Sequence, residues 1–173
     1  MKRNYTTARR VIIAVVLMAV LVFSILRFPQ FRIDVQRTYL PANDDNSLYL
    51  AISTGEPVEN VRAILEKRPE LLQTYRFNGG PPLVLAAEWK RSDLVQLFLQ
   101  MGADVNSQND RDSASKGATA LHVAAQSDDV KTIEILLRYK ADTKLLERYG
   151  RTAYQVAVDA GSKAAADVLR QQK

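Results

Sequence analysis

The sequence predicts an all-α repeat solenoid of about four helix-turn-helix units, preceded by one N-terminal transmembrane helix. Residues 119–125 read TALHVAA, and similar segments occur 33 residues later as TAYQVAV and 38 residues earlier as PPLVLAA. A weaker copy, NSLYLAI, begins at residue 46, and a sixteen-residue apolar run at residues 11–26 precedes all four copies. A period in the low thirties is typical of stacked helical repeats.

Each unit contains two short helical patterns joined by a turn. In the third unit, Leu121, Ala124 and Ala125 give the first helix a narrow face of small residues. After a turn at residues 128–129, residues 130–137 carry an apolar stripe with a 3.6-residue period. Small residues on the first helix allow neighbouring units to approach closely, and the bulky residues of the second helix fill the space behind them.

The predicted helix ends carry suitable capping residues. Thr119, Thr152 and Asn46 each stand where a first helix is predicted to begin, and each side chain is able to accept a hydrogen bond from an orphan backbone N–H. Pro82 suits a first helical turn. Gly102 suits the left-handed position that follows a second helix.

These motifs resemble the ankyrin repeat, whose signature opens T-P-L-H-x-A-A, and residues 102–106, GADVN, are similar to the family's inter-repeat segment. The resemblance covers residues 47–173, with repeats near residues 47–79, 80–116, 117–149 and 150–173. It implies an ankyrin-repeat solenoid with hairpin-like tips, in which His122 bonds to neighbouring backbone and stiffens its turn. The terminal units are expected to have polar outer faces.

The apolar run at residues 11–26 predicts a membrane anchor. Ser24 is its only polar residue, and Arg9, Arg10 and Arg27 flank it. A spanning helix usually has about 20 apolar residues for a core of ~30 Å, but arginines that snorkel and a bilayer that thins reduce this difference. The predicted segments are a basic cytoplasmic tail (1–10), a signal-anchor helix (11–27) and a juxtamembrane tether or N-terminal cap (28–46).

The apolar run has two other interpretations, a cleaved signal peptide and a buried core helix. A cleaved signal peptide would have an apolar region of about 7–15 residues followed by a small-x-small site, and this sequence fits neither feature. A buried core helix would need more chain to cover it than the sequence contains. Four Lys or Arg precede the run and three follow it within reach, so the positive-inside rule favours a single-pass protein of the bacterial inner membrane with its repeats in the periplasm.

Composition argues against several kinds of chemistry. The chain has no cysteine and one histidine, so disulfides and thiolate metal sites are excluded. Its net charge of +5 belongs to the N-terminal segment, because residues 42–173 are close to neutral; nucleic acid is therefore not expected as a partner. Residues 78–80, NGG, lack the Lys-Ser/Thr of a phosphate loop and predict a hairpin turn. We expect no enzyme activity, metal, cofactor or small-molecule substrate.

The family resemblance implies a protein partner, bound by the hairpin tips and by the concave face that the first helices line. Trp89 is the sharpest candidate, because its position is usually small or polar and tryptophan is enriched at binding hot spots; the alternative is packing beneath the neighbouring loop. That loop, residues 108–116, is either a binding loop or a tolerated insertion. The candidate partner-binding residues are Glu88, Trp89 and Gln126 on the concave face, and Tyr75, Arg76, Phe77, Arg111, Asp112, Arg148 and Tyr149 at the tips.

The function expected from these features is a membrane-anchored protein–protein interaction module whose ankyrin domain lies outside the cytoplasm. It would bind a protein partner and neutralise or shield it, with residues 11–27 in contact with the lipid bilayer. One alternative is an immunity protein against a periplasm-acting toxin such as a lipase. Another is an envelope scaffold that acts through its transmembrane span. Both alternatives rest on architecture and not on particular residues.

Overall fold

The computed structural model describes residues 44–74, 80–110 and 116–172. Residues from Asp44 onward form one structural unit. The predicted signal-anchor helix at 11–27 lies outside the described residues, as does the tether as far as residue 43. Within the described ranges, no helix is long and apolar enough to cross a membrane.

The described residues form nine helices, in agreement with the predicted all-α class. The helices are α1 (Asp44–Ser53), α2 (Val58–Lys67), α3 (Leu71–Thr74), α4 (Pro82–Glu88), α5 (Ser92–Gln100), α6 (Ala120–Gln126), α7 (Val130–Arg138), α8 (Ala153–Ala160) and α9 (Lys163–Arg170). Eight of them form four consecutive pairs. The single-turn helix α3 was not predicted from the sequence.

The four helix pairs stack in two layers. The first helices, α1, α4, α6 and α8, pack each on the next, and the second helices, α2, α5, α7 and α9, do the same. The small faces of the first helices are fully buried, as at Ala86 and Ala124. Phe98 and Leu136 of the second helices are also fully buried and fill the space between the layers. Burial of each such large side chain contributes about 1.5–3 kcal/mol.

Most of the predicted caps are present. Thr119 and Thr152 are N-caps, and each forms a reciprocal capping box with the residue three positions later. Pro82 opens α4, and Gly102 has a positive φ of 90° after α5. The prediction for Asn46 was wrong, because α1 already begins at Asp44. Acidic residues are favoured in a first helical turn by the helix dipole, and the sequence places two of them at positions 44 and 45.

The last unit does not have the wholly polar outer face that was predicted for a terminal repeat. Val158 on α8 is 52% exposed. Ala164 on α9 is also exposed. Ala165 and Leu169, in contrast, are buried against the preceding helices. The two sides of α9 therefore differ in burial, although both carry apolar residues.

Candidate interaction surface

The first helices of all four units end in the same backbone conformation. A residue with positive φ follows each helix: Gly55 (77°), Lys90 (53°), Asp128 (56°) and Gly161 (73°). This left-handed residue turns the chain back toward the second helix of the same unit. We call the segments that contain these residues the inner-helix ends: residues 53–55, 88–90, 126–128 and 159–161.

Trp89 is the one large apolar residue at the inner-helix ends. Its side chain is 48% exposed, whereas Thr54, Ser127 and Ala160 stand at the equivalent positions of the other units. Two further predicted residues, Glu88 and Gln126, are exposed at the ends of the neighbouring helices α4 and α6. The structure therefore brings the three predicted concave-face residues to adjacent helix ends.

Hydrogen bonds connect the inner-helix ends of the third unit to the fourth. The Ser162 hydroxyl donates to the backbone oxygen of Gln126 across 3.0 Å. The Asp128 carboxylate accepts a hydrogen bond of 2.8 Å from the backbone N–H of Ala165. Hydrogen bonds from the fourth unit thus restrain the backbone at Gln126. This restraint reduces the conformational entropy that would be lost when a partner binds there.

Side-chain hydrogen bonds connect the second unit to both the first and the third unit. The Lys90 ammonium donates to the backbone oxygen of Ser127 across 3.3 Å. The Arg91 guanidinium donates to the backbone oxygen of Glu56 across 2.8 Å, and it also forms a two-pronged ion pair with Asp93 at 2.9 and 3.0 Å. The hydrogen bond from Arg91 lowers the pKa of Asp93 below its usual value. The two residues that follow Trp89 are therefore both hydrogen-bonded to neighbouring units, and these bonds restrain the backbone at Trp89.

The tip between the third and fourth units is organised around Arg151. Its guanidinium bonds to Glu147 at 2.9 Å and to Asp159 at 3.0 Å, and it lies 5.2 Å from the centre of the Tyr149 ring. This cation–π contact holds a tyrosine that is 61% exposed. Arg148, the other predicted residue of this tip, is also exposed.

Glu147 is a buried charge within this tip. Its side chain is 4% exposed. Burial alone would raise the pKa of its carboxyl group, but the hydrogen bond from Arg151 and the backbone donors of the tip outweigh that effect, so the pKa lies below the usual 4.5. The hydrogen bonds that Arg151 donates, first to Glu147 and then to Asp159, raise the pKa of Arg151. Glu147 and Arg151 therefore each stabilise the charged form of the other.

His122 has the structural role that the sequence analysis expected. Its imidazole is buried; Nδ1 contacts the backbone N–H and hydroxyl of Thr119 at 3.3 and 2.9 Å. Nε2 lies 3.1 Å from the backbone oxygen of Arg151. Burial lowers the pKa of His122 below its usual 6.5. Both ring nitrogens are used in holding the cap and the next hairpin.

Neighbouring hairpins pair at their bases. The backbone N–H of Asn109 donates to the backbone oxygen of Ala118 across 2.9 Å, which closes the base of the hairpin between the second and third units. The backbone N–H of Arg148 then donates to the backbone oxygen of Lys116 across 2.8 Å. The Gln108 side chain donates to the backbone oxygen of Leu146, in the hairpin between the third and fourth units, across 3.3 Å. These bonds fix the relative positions of the two hairpins.

The remaining predicted site residues are not all placed by the structure. Tyr75, Arg76 and Phe77, and likewise Arg111 and Asp112, lie outside the described residues, so their predicted roles stay predictions. Two exposed apolar residues, Leu146 and Val158, each 52% exposed, were not predicted as site residues from the sequence. Among the described residues there is no group of three or more His, Asp or Glu that could hold a metal ion.

The helix pairs stack on one another, their first helices all end in the same backbone conformation, and the hairpins at their tips pair with one another. These features define a helical repeat protein. A model of the family described as ankyrin repeats, in three copies, matches residues 83–173. The chain belongs to the ankyrin repeat family, and ankyrin repeats are protein–protein interaction modules.

Similar proteins come from several kinds of organism. The chain is 33% identical to an ankyrin repeat protein of Fowlpox virus (strain NVSL) over 117 residues, which cover 66% of this chain and 33% of the relative. It is 32% identical to the B-cell lymphoma 3 protein homolog of Mus musculus over 124 residues, 72% of this chain and 26% of the relative. It is 39% identical to the 2-5A-dependent ribonuclease of Homo sapiens over 80 residues, 46% of this chain and 10% of the relative. The chain thus spans a third or less of the length of these relatives.

Proposed function

We propose that this protein is a membrane-anchored, non-catalytic binding module that captures a protein partner outside the cytoplasm and neutralises or shields it. The inner-helix ends around Trp89 would contact the partner, and residues 11–27 would hold the chain in the bilayer. The observation that carries the proposal is the exposure of Trp89. An indole that is 48% exposed stands where the other three units have threonine, serine and alanine.

The surroundings of Trp89 support a binding role. Residues that account for most of the binding energy at protein interfaces are enriched in tryptophan and surrounded by contacts that exclude water. Glu88 and Gln126 provide exposed polar groups at the ends of the neighbouring helices α4 and α6. Lys90 and Arg91 anchor the backbone that follows it, so the side chain is presented without the entropy loss of ordering a free loop.

The membrane and periplasmic parts of the proposal are supported by the sequence. The run at residues 11–26 contains a single polar residue, and more basic residues precede it than follow it. A tether that keeps a binder at the outer side of the inner membrane suits interception of a protein that acts there. An immunity role against a periplasm-acting toxin such as a lipase is the form of the function that this architecture supports best.

The binding proposal is tested by site-specific photo-crosslinking of the full chain in cells. A photoreactive amino acid at position 89 is compared with the same group at position 131, because Lys131 is exposed on the second helix α7. The proposal predicts that the photoreactive group crosslinks a protein when it is at position 89 and does not crosslink that protein when it is at position 131. Trp89→Ser should then weaken the affinity for that purified protein by about tenfold or more. Lys131→Ser should leave the affinity unchanged. Equal capture from both positions would contradict the proposal.

The location is tested separately by protease treatment of intact spheroplasts with a tag at the C-terminus and a cytoplasmic control protein. Digestion of the tag with an intact control is expected. Protection of the tag would reverse the topology and remove the immunity role. For a lipase partner, saturating binder should abolish lipase activity; unimpaired activity would exclude that partner.

A further inference from the structure

The left-handed residues at the inner-helix ends are of two kinds. In the first and fourth units the residue is glycine, at positions 55 and 161, and glycine adopts a positive φ without steric cost. In the second and third units it is Lys90, at 53°, and Asp128, at 56°. Aspartate is enriched in the left-handed region, whereas lysine is not. Lys90 is therefore the least expected residue among the four equivalent positions, and it directly follows Trp89.

Lys90 completes the backbone turn that ends α4. Its N–H donates to the backbone oxygen of Ala87 across 3.0 Å, and the N–H of Arg91 donates to the backbone oxygen of Ala86 across 2.9 Å. Glycine is the usual left-handed residue in this pair of bonds. The left-handed conformation costs a residue with a side chain more free energy than one exposed hydrogen bond returns. The stability of this turn alone therefore favours glycine at position 90.

The Lys90 side chain makes a contact that glycine is unable to make. Its ammonium donates to the backbone oxygen of Ser127 across 3.3 Å. Ser127 is the C-cap residue of α6, and a cation is favoured at that end of a helix, where the last carbonyl groups lack helical N–H partners. The bond thus connects the residue after Trp89 to the helix end that carries Gln126.

The acceptor of this bond is itself held in place. The Ser127 hydroxyl donates to the backbone oxygen of Val123 across 3.1 Å. The next residue, Asp128, accepts a hydrogen bond of 2.8 Å from the backbone N–H of Ala165 in the fourth unit. Its own helix and the fourth unit therefore both restrain the backbone at Ser127. The bond from Lys90 ends on a fixed point of the third unit.

We infer that Lys90 is a positioning residue, which fixes Trp89 relative to Gln126 at the cost of a strained backbone. The inference rests on the proposed function, in which the partner is bound at the helix ends that carry these two residues. Strained backbone conformations persist where the surrounding structure requires them, and they cluster at functional sites. Binding to two groups that are already fixed loses less conformational entropy than binding that must order them. Lysine at position 90 thus lowers the stability of the turn and raises the affinity for the partner.

Time-resolved fluorescence anisotropy of the full chain in detergent tests the inference without a partner, because Trp89 is the only tryptophan. Lys90→Gly should increase the amplitude of the nanosecond motion of the indole about twofold or more. Lys90→Asn should do the same, because asparagine tolerates a positive φ but its side chain is too short to reach Ser127. Lys90→Arg keeps a long donor and should retain the decay of the unaltered chain. An unchanged decay in Lys90→Asn would overturn the inference, since a change in Lys90→Gly alone would come from the flexibility of glycine.

Lys140→Gly is the matched control. Lys140 also has a positive φ, of 63°, but it follows the second helix α7 and does not lie at an inner-helix end. Both glycine variants relieve the same kind of strain, so the midpoint of thermal unfolding should be unchanged or higher in each. Lys140→Gly should leave the anisotropy decay of Trp89 unchanged. Equal increases of indole motion in the two variants, or a lower midpoint in Lys90→Gly, would show that Lys90 has only a structural role.

The affinity for the protein captured at position 89 is the second measurement. Lys90→Gly should weaken this affinity by about two- to tenfold, which corresponds to the ordering of one further side chain on binding. Lys90→Arg should retain the affinity. Equal affinities of Lys90→Gly and the unaltered chain would refute the positioning role. If no protein is captured at position 89, the proposed function fails, while the anisotropy measurement still decides whether Lys90 fixes the indole.

Discussion

His122 donates a hydrogen bond from Nε2 to the backbone oxygen of Arg151 across 3.1 Å, and this bond joins α6 to the hairpin between the third and fourth units. A carbonyl oxygen only accepts hydrogen bonds, so Nε2 carries the proton. Nδ1 is then the acceptor for the backbone N–H of Thr119. A second proton, on Nδ1, would face the Thr119 donor. The geometry therefore requires the neutral imidazole.

The first prediction is that stability falls on mild acidification. Burial holds the pKa of His122 below its usual 6.5 in the folded chain. Below about pH 6.5 the unfolded chain takes up a proton that the folded chain does not, so the free energy of unfolding falls with pH until the folded pKa is passed. Each unit of depression contributes about 1.4 kcal/mol. Urea unfolding of the full chain in detergent between about pH 7.5 and about pH 5.5 measures the loss.

His122→Gln is the matched control for this prediction. Gln155 occupies the equivalent position of the fourth unit and already forms the same capping box with Thr152, with its side-chain oxygen 2.8 Å from the Thr152 backbone N–H. The glutamine variant should therefore keep the cap and lose the pH dependence. His122 is the only histidine in the chain. Parallel pH profiles for the two proteins would show that the imidazole is not responsible.

The repeats, the two helices of each unit and most caps could be predicted because they depend on residues close together in sequence. The 33-residue interval between Thr119 and Thr152 aligns two capping boxes that the structure contains. Alanines at 86 and 124 mark helix faces that are fully buried. Local spacing determines both features, so no knowledge of the tertiary contacts was needed.

Contacts between units could not be predicted in the same way. The ion pair of Arg151 with Asp159 needs the hairpin between the third and fourth units to lie against α8. The exposure of Val158 depends on which side of α8 packs against α6. The sequence does not show this, because a valine in an apolar pattern is predicted to be a core residue. Trp89 was found because it breaks the pattern of small residues. Its exposed fraction depends on the neighbouring unit and was left open.

The second prediction concerns the buried carboxylate of the tip. Glu147→Ala should lower the free energy of unfolding by about 1–2 kcal/mol, because it removes a nearly buried ion pair and leaves the backbone donors of the tip without their acceptor. Glu70→Ala is the control, since Glu70 pairs with Arg68 in a largely exposed setting, and no measurable change is expected there. Urea unfolding at neutral pH compares the two variants; equal effects would contradict the prediction.

The third prediction is that Lys140→Gly stabilises the protein. Lys140 has a positive φ of 63° at the position after α7 that Gly102 occupies after α5. Relief of about 1–2 kcal/mol of left-handed strain exceeds the entropy cost of a glycine, so a gain of about 0.5–1 kcal/mol is expected. Gly102→Ala should do the reverse through backbone strain alone, because no atom outside residues 101–103 lies within 4 Å of the added Cβ. Thermal unfolding of both variants should give shifts of opposite sign; shifts of the same sign would disprove the argument.

The fourth prediction separates the core from the proposed binding surface. Phe98 is fully buried between the helix layers, so Phe98→Ala should cost about 3–5 kcal/mol of unfolding free energy. Trp89 is 48% exposed, and Trp89→Ser should cost about 1 kcal/mol or less, because much of its apolar surface already faces water. Urea unfolding followed by circular dichroism measures both, since Trp89→Ser removes the only tryptophan. If the serine variant lost as much stability as the alanine variant, Trp89 would be a packing residue. The exposed indole would then give no reason to place the partner at the inner-helix ends.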